Sequence, residues 1–470
     1  MVMEVYEMSL NDQPMLRAVR SWGVSMMLLG ALLPLGGCEK PDTVAIPSKP
    51  AVKQLVVVTP HSNMICSAFE DAFSDWHKER HGSYVEILWD IKGTPQCMQY
   101  VQEAGRPDFV PAGRPIPDVF FGGGPLEHQM IADKSLSRPV DVSDIESDLP
   151  VEVMGTPTRD AQNRWHSSAL SSFGLLVARQ GCRQRGIAEP TSWRELADPR
   201  FYGWLAIADP ERSGSNRQCL LVILQKYGWD EGWGIIMRIA ANCRALAAGS
   251  SEVIHNVSTG NCLAGFCVNF NALRQREQCG GDVLAYVIPS DAGMITPDPI
   301  SVLTYALHPE TGARFARFCV SEAGQGIWGF KAEFRTGHSD TLFRYPINPK
   351  FYSEHKEKLA VPDNPFEMQS IVLRDRALEE KQSRIVGPLL LAACGDNHVM
   401  LQRCWKDIFD SGMNEAALGE LLKPVMSESE AYESGIRYRQ DREAAADLLE
   451  SLSELFRQKY ERVNAILAES

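Results

Sequence analysis

Three loops in this 470-residue chain carry residue types suited to holding an anion without a metal. Thr59-Pro60-His61-Ser62-Asn63 follows the apolar run Leu55–Thr59, and Phe121-Gly122-Gly123-Gly124 follows Val119 and Phe120. Asp209-Pro210-Glu211-Arg212-Ser213-Gly214-Ser215-Asn216 lies between a strand-like and a helical stretch. Each reads as a strand-to-helix junction, and in open α/β sheets ligands bind beyond the carboxyl ends of the strands. Glycine lets a ligand reach backbone N–H groups because no Cβ stands in the way. A helix start adds unpaired N–H groups and a partial positive charge. Ser213-Gly214-Ser215 can therefore donate to an oxyanion, and Arg212 could add charge; the competing role for Ser213 or Ser215 is a plain N-cap. The chain contains no Gly-x-Ser-x-Gly, His-Glu-x-x-His or Cys-x-x-Cys. A binding role is expected, with no catalysis, cofactor or metal.

The elements needed to position these loops are readable. Strand-like runs alternate with amphipathic helical stretches from Leu55 to about Ile327, which predicts βαβ units and largely parallel, buried sheets. Strands are predicted at Leu55–Thr59, Val85–Trp89, Val119–Phe121, Phe173–Ala178, Trp204–Ala208, Cys262–Val268 and Val283–Pro289. Helices are predicted at Cys66–Arg80, Asn216–Tyr227 and Glu231–Ala241, with others opening at Gly93-Thr94-Pro95 and Pro125. From about Asn348 the strand signal ends, and Glu443–Leu467 carries Leu448, Leu452, Leu455, Phe456, Tyr460, Val463 and Leu467 on one helical stripe. The net charge of −13 argues against a generally basic surface, and so against nucleic acid as a partner.

The amino-terminal stretch sets the expected compartment. Val24–Leu35 is an apolar run too short to span a bilayer, which needs about twenty residues. Arg17 and Arg20 precede it and Leu35-Gly36-Gly37-Cys38 ends it. This resembles a bacterial lipoprotein signal, with Cys38 as the lipidated residue and residues 38–53 as a Pro-rich tether. A start at Met15 would make the signal compact, because residues 1–14 carry three acidic residues. The expected location is the cell envelope, facing the periplasm and anchored through Cys38.

Four segments carry a wider resemblance. Pro117-Asp118-Val119-Phe120-Phe121-Gly122-Gly123-Gly124, Thr191-Ser192-Trp193-Arg194-Glu195-Leu196 with Asp198-Pro199-Arg200-Phe201, Ala206-Ile207-Ala208-Asp209-Pro210 with Ser213-Gly214-Ser215, and Ser321-Glu322-Ala323-Gly324-Gln325 stand in that order. Together they resemble the extracellular solute-binding proteins of bacterial ABC importers, in the ferric-iron, phosphonate and phosphosugar branch. The resemblance implies a two-lobe α/β fold of the type II periplasmic-binding-protein kind, with hinge closure over a small solute and delivery to an inner-membrane permease. Lobe 1 would span 54–170 with a return segment 288–347, and lobe 2 would span 171–287. Residues 348–470 would be a helical extension and the protein a monomer.

The resemblance also frames the ligand. Iron-binding members use paired tyrosines, whereas the matching segment here is Val268-Asn269-Phe270-Asn271-Ala272-Leu273. The candidate donors are His61, Ser62, Gly93, Thr94, Gly123, Gly124, Ser171, Ser172, Ser213, Gly214, Ser215, Asn269 and Asn271. They suit an organic oxyanion such as a phosphonate, sugar phosphate or small carboxylate. Asp298, in Thr296-Pro297-Asp298-Pro299, could accept from a ligand hydroxyl, or be a turn residue. Ferric iron and a ligand-presenting sensor role are the alternatives. Of the cysteines after Cys38, Cys66 and Cys97 both open helices behind strands expected to be neighbours, and are the candidate disulfide.

Overall fold

The computed structural model describes residues 52–469 except 146–148, 336–339, 369–374, 396 and 441. The expected signal, Cys38 and most of the tether fall outside the described residues. Val52 and Lys53, expected in the tether, already belong to the first strand.

The first lobe begins with strand–helix units: β1 (Val52–Thr59), α1 (Asn63–His81), β2 (Tyr84–Ile91), α2 (Thr94–Ala104), β3 (Val119–Phe121) and α3 (Pro125–Asp133). β2 and β3 flank β1, each parallel to it. Side chains alternate across β1. Leu55 and Val57 pack with Phe69 and Phe73 of α1, while Val58 packs with Cys97 and Val101 of α2. α1 and α2 thus cover opposite faces of the sheet, which separates Cys66 from Cys97. Both thiols are free, so the expected disulfide is not formed, and burial pushes each up to about 12.

After three two-residue strands (β4, Ser137–Arg138; β5, Glu152–Val153; β6, Thr156–Pro157), the chain enters β7 (His166–Ala178), buried along its whole length. The second lobe follows as α4 (Arg179–Arg185), β8 (Leu205–Ala208), α5 (Gly214–Asn242), β9 (Cys243–Ala247), α6 (Ser250–Ser258), β10 (Ala264–Val268), α7 (Asn269–Cys279) and β11 (Leu284–Val287). The two helices expected within α5 are divided at Gly228, whose φ of 74° takes it out of helical geometry. β12 (Met294–Leu303) then runs back antiparallel to β7.

The sheet order is β2-β1-β3-β12-β7-β10-β8-β9. Only the outer strands are parallel; β7 and β12 run antiparallel to their neighbours, which corrects the expectation of a largely parallel sheet. These two strands cross between two cores. Leu170 and Ile295 belong to the first, Phe173 and Met294 to the second.

The chain then adds α8 (Pro309–Val320), α9 (Glu322–Gly329) and α10 (Phe351–Glu354). Phe351, Tyr352, Leu359 and Val361 are buried in the first core, so residues just past 348 belong there and not to a helical extension. That extension starts at α11 (Arg376–Cys394) and continues with α12 (His398–Asp410), α13 (Glu415–Leu422), α14 (Glu428–Gln440) and α15 (Arg442–Ala468). Its apolar side joins the second core. Leu390, Trp405, Leu452, Phe456 and Tyr460 pack in one cluster with Trp229, Trp233 and Ile236 of α5. On α15, Leu452, Phe456, Tyr460 and Val463 of the expected stripe are buried, Leu448 and Leu467 are half-buried, and Leu455 is exposed.

Candidate functional site

The carboxyl ends of β1, β2, β3, β8 and β10 open toward one cavity of about 240 Å³. His61, Thr94, Gly123, Gly124, Ser171, Gly214, Ser215, Asn271 and Asp298 line it, so all three loops marked in the sequence meet there. The starts of α2, α3, α5 and α7 contribute Thr94, Pro125, Gly214 with Ser215, and Phe270 with Asn271. A more open depression of about 1320 Å³ lies on the first lobe against α1, α8 and α9. It gathers none of these loops, so the smaller cavity is the candidate site.

A buried ionic cluster forms the first-lobe wall. Nε2 of His61 lies 3.0 Å from Oδ2 of Asp298, and Nη1 of Arg344 donates to the same oxygen at 2.9 Å. Nη1 of Arg344 also donates to Oγ of Ser171. Arg344 reaches this place because its segment pairs with β7: Tyr345 and Leu170 exchange backbone hydrogen bonds at 2.8 and 3.1 Å. Its guanidinium stacks 3.6 Å above the Phe270 ring, as a weakly hydrated planar cation does. Burial pushes the Asp298 carboxyl up, but Arg344 and then His61 outweigh it and hold the group below the ordinary carboxylate value. The His61 ring also packs edge-on to Phe121, with centroids 4.6 Å apart. Gly122 makes this approach possible: at its φ of 87° a Cβ would sit 2.6 Å from the imidazole.

The second-lobe wall is built from hydroxyls at helix starts. Ser213 caps α5, its Oγ accepting from the Asn216 N–H at 3.3 Å, so the N-cap role is real. Its hydroxyl also lies 2.6 Å from Oγ of Ser250 at the start of α6, and Ser215 lies 3.0 Å from that same atom. Ser215 and Gly214 face the cavity, whereas Ser213 and Arg212 do not line it.

Four other expected donors also stand outside the lining. Ser62 and Gly93 are exposed at the starts of α1 and α2. Ser172 and Asn269 brace the crossing: the Asn269 Oδ1 accepts from the Ser172 N–H at 3.1 Å, and its Nδ2 donates to the Phe343 carbonyl at 2.9 Å.

Sequence reasoning missed Arg344, Glu127, Arg217, Gln218, Phe173, Glu379 and Ser383, all of which line the cavity. Glu127 lies one turn into α3 and Arg217 one turn into α5, so helical spacing from the two glycine-bearing starts would have found them. They approach to 3.7 Å and bridge the two lobes. Arg344 and Glu379 carry no local signal, because distant segments bring them in.

Known proteins are similar to this chain in sequence and in fold. The phosphoglycerate transport regulatory protein PgtC of Salmonella typhimurium is 27% identical over 182 residues, 38% of this chain; the match spans only 42% of that relative's length. The periplasmic binding protein AfuA of Actinobacillus pleuropneumoniae, solved with fructose 6-phosphate, superposes with a TM-score of 0.54 at 18% identity, covering 76% of this chain and 98% of its own. The apo ferric ion-binding protein A of Pasteurella haemolytica gives 0.55 at 13% identity, covering 72% and 96%. These two likenesses show the type II periplasmic-binding-protein fold. The model of the bacterial extracellular solute-binding proteins matches residues 114–351. With that match running through both lobes and around the cavity, the chain belongs to the bacterial extracellular solute-binding proteins.

Proposed function

We propose that this chain captures a small solute bearing an oxyanion, a phosphonate, sugar phosphate or carboxylate, between its lobes. It closes over the solute by hinge motion and hands it to an ABC permease. The observation that carries this reading is the convergence of four helix starts, α2, α3, α5 and α7, on one cavity that also holds Arg344 and Arg217. Each helix start contributes a fraction of a positive charge and unpaired donors, so an anion is favoured inside a protein whose net charge is −13. Closure selects the conformation in which both walls touch the solute, and β7 and β12 are the strands that would flex. The Salmonella relative's name and the solute bound to the Actinobacillus protein both concern phosphate esters. Ferric iron, the alternative drawn from the Pasteurella fold relative, would need free oxygen ligands; Asp298 is instead held by Arg344 and His61.

The lobes are taken as 54–170 with the return from 288, and 171–287. A lipid on Cys38 would keep the protein at the membrane, facing the periplasm. A second reading, presentation of the solute to a sensor, draws on the Salmonella relative's name as a transport regulatory protein.

A thermal-shift panel tests the ligand. It comprises phosphonates, sugar phosphates, inorganic phosphate, carboxylates and ferric citrate. An oxyanion at 100 times its dissociation constant should add about 2.7 kcal/mol of stability. A shift with ferric citrate alone refutes the oxyanion reading.

A further inference from the structure

Arg344 follows a strained residue. Phe343 has a φ of 55°, in the left-handed region. A side chain with a Cβ is disfavoured there, and such a backbone persists only where the surroundings enforce it. Six described residues other than glycine have positive φ, and Phe343 alone among them is buried. Leu342, Phe343 and Tyr345 all pack in the first core, while Arg344 lines the cavity. Regular strand alternation would send residue 342 to the same side as 344. The left-handed backbone at 343 breaks that alternation and turns Arg344 alone toward the cavity. One side chain of the second lobe holds this backbone. Asn269, at the start of α7, is fully buried. Its Nδ2 donates to the Phe343 carbonyl at 2.9 Å, and its Oδ1 accepts from the Ser172 N–H at 3.1 Å. The carbonyl only accepts and the N–H only donates, so the amide has one orientation and both its ends are used. The next residue, Phe270, supplies the ring on which the Arg344 guanidinium stacks. Two consecutive residues of α7 thus hold Phe343 and Arg344, and Arg344 is the cation bound to Asp298 and Ser171.

We infer that Asn269 is a positioning residue for solute binding: it holds Phe343 in its strained backbone and so keeps Arg344 in the cavity wall, where the guanidinium meets the anionic end of the solute. This rests on the oxyanion reading above and names the residue that sets its buried cation in place. Nε of Arg344 has no hydrogen-bond partner among the described residues, so the guanidinium has donor capacity left for a solute. Without the Asn269 donor the Phe343 carbonyl loses a buried partner. The backbone then relaxes toward negative φ and carries Arg344 away from Asp298.

Calorimetry on the full chain with inorganic phosphate and with glycerol 3-phosphate, together with a crystal structure of the variant, tests this. Asn269→Ala should weaken probe binding at least tenfold. In its structure Phe343 should leave the left-handed region and Arg344 should part from Asp298. In an Arg344→Gln background the same substitution should cost less than twofold, since no cation remains to be placed. A residue serving stability alone would lower the melting temperature and leave affinity unmoved. Should Asn269→Ala fail to fold, Asn269→Ser, which can form either bond but not both, should weaken binding at least threefold. Affinity within twofold of wild type in a folded variant, or Arg344 still on Asp298, overturns the role of Asn269 and leaves the oxyanion reading standing. If wild type binds neither probe, the oxyanion reading fails, and the place of Arg344 in the variant's structure decides the role of Asn269.

Discussion

His128 braces the glycine loop from behind, without lining the cavity. The ring is fully buried, stacked 4.3 Å from Phe120, with Nε2 at 2.9 Å from the Gly122 carbonyl and Nδ1 at 2.7 Å from Oγ of Ser301. The carbonyl only accepts, so the neutral ring carries its proton on Nε2 and Nδ1 accepts from the serine. Burial pulls this histidine down to about 4. The unfolded chain therefore binds a proton that the folded one refuses between about pH 6.5 and 4, and stability falls as pH drops through that window. The loss attributable to this group is about 3 kcal/mol at most. Melting curves should show it, and His128→Gln should flatten the slope over that window; an unchanged slope would remove His128 from the account.

At this scale the sequence was half legible. His61 and the glycines were visible because chemistry and chain breaks coincide at strand ends. Asp298 stood out less: it lies in a strand and not in a turn, and its partner Arg344 reaches it at 2.9 Å from a segment 46 positions later, Phe343-Arg344-Tyr345, that bears no motif.

Among elements, α3 and α5 face each other across the cleft, and Glu127 and Arg217 are the side chains that meet. Both are largely buried, at 17% and 19% exposure, so the pair is less screened than a surface bridge. It forms between the lobes, so under the proposed hinge closure it would favour the closed arrangement. Glu127→Gln should weaken closure by on the order of 1 kcal/mol, read in stopped-flow as roughly fivefold faster release of whichever panel solute binds. An unaltered release rate would show that the pair does not contribute to closure. The junctions that end in these helices were readable because strand, glycine and helix start fall in register along the chain. The contact of Ser213 and Ser215 with Ser250 was not, because it joins two helices separated by a whole strand–helix unit. The mixed sheet was missed for a related reason. β7 and β12 are buried throughout, yet β7 opens with a histidine and serines and β12 carries Thr296, two prolines and Asp298, so neither reads as one continuous strand whose direction could be inferred.

Over the whole molecule, the helical segment changes what counts as the binding protein. Its helices were legible from the α15 stripe, whose apolar face pointed to packing on the main body; which residues it would meet was not, since nothing local pairs Leu452, Phe456 and Tyr460 with Trp233. Removing residues 375–470 would bare the second core along α5, including Trp229, Trp233 and Ile236. An apolar patch of that kind drives association. The truncated chain is expected to aggregate or to bind a hydrophobic dye strongly, where the full chain does neither. A monodisperse truncated protein with an unchanged melting temperature would show the segment to be dispensable.

The crossing strands have one further consequence. Ser171, Thr296 and Asp298 line the cavity, and all three lie on β7 or β12, the pair that passes between the cores. Groups on a pivot travel little when the bodies beside it swing. Under the proposed hinge closure, Asp298, with His61 and Arg344 bound to it, would be a landing place that is ready before any motion, while Gly214 and Ser215 would ride on the moving side. That motion would separate arrival from retention: capture would be set by how quickly a solute finds the pivot, and its dwell time by how well the far wall fits once it swings in.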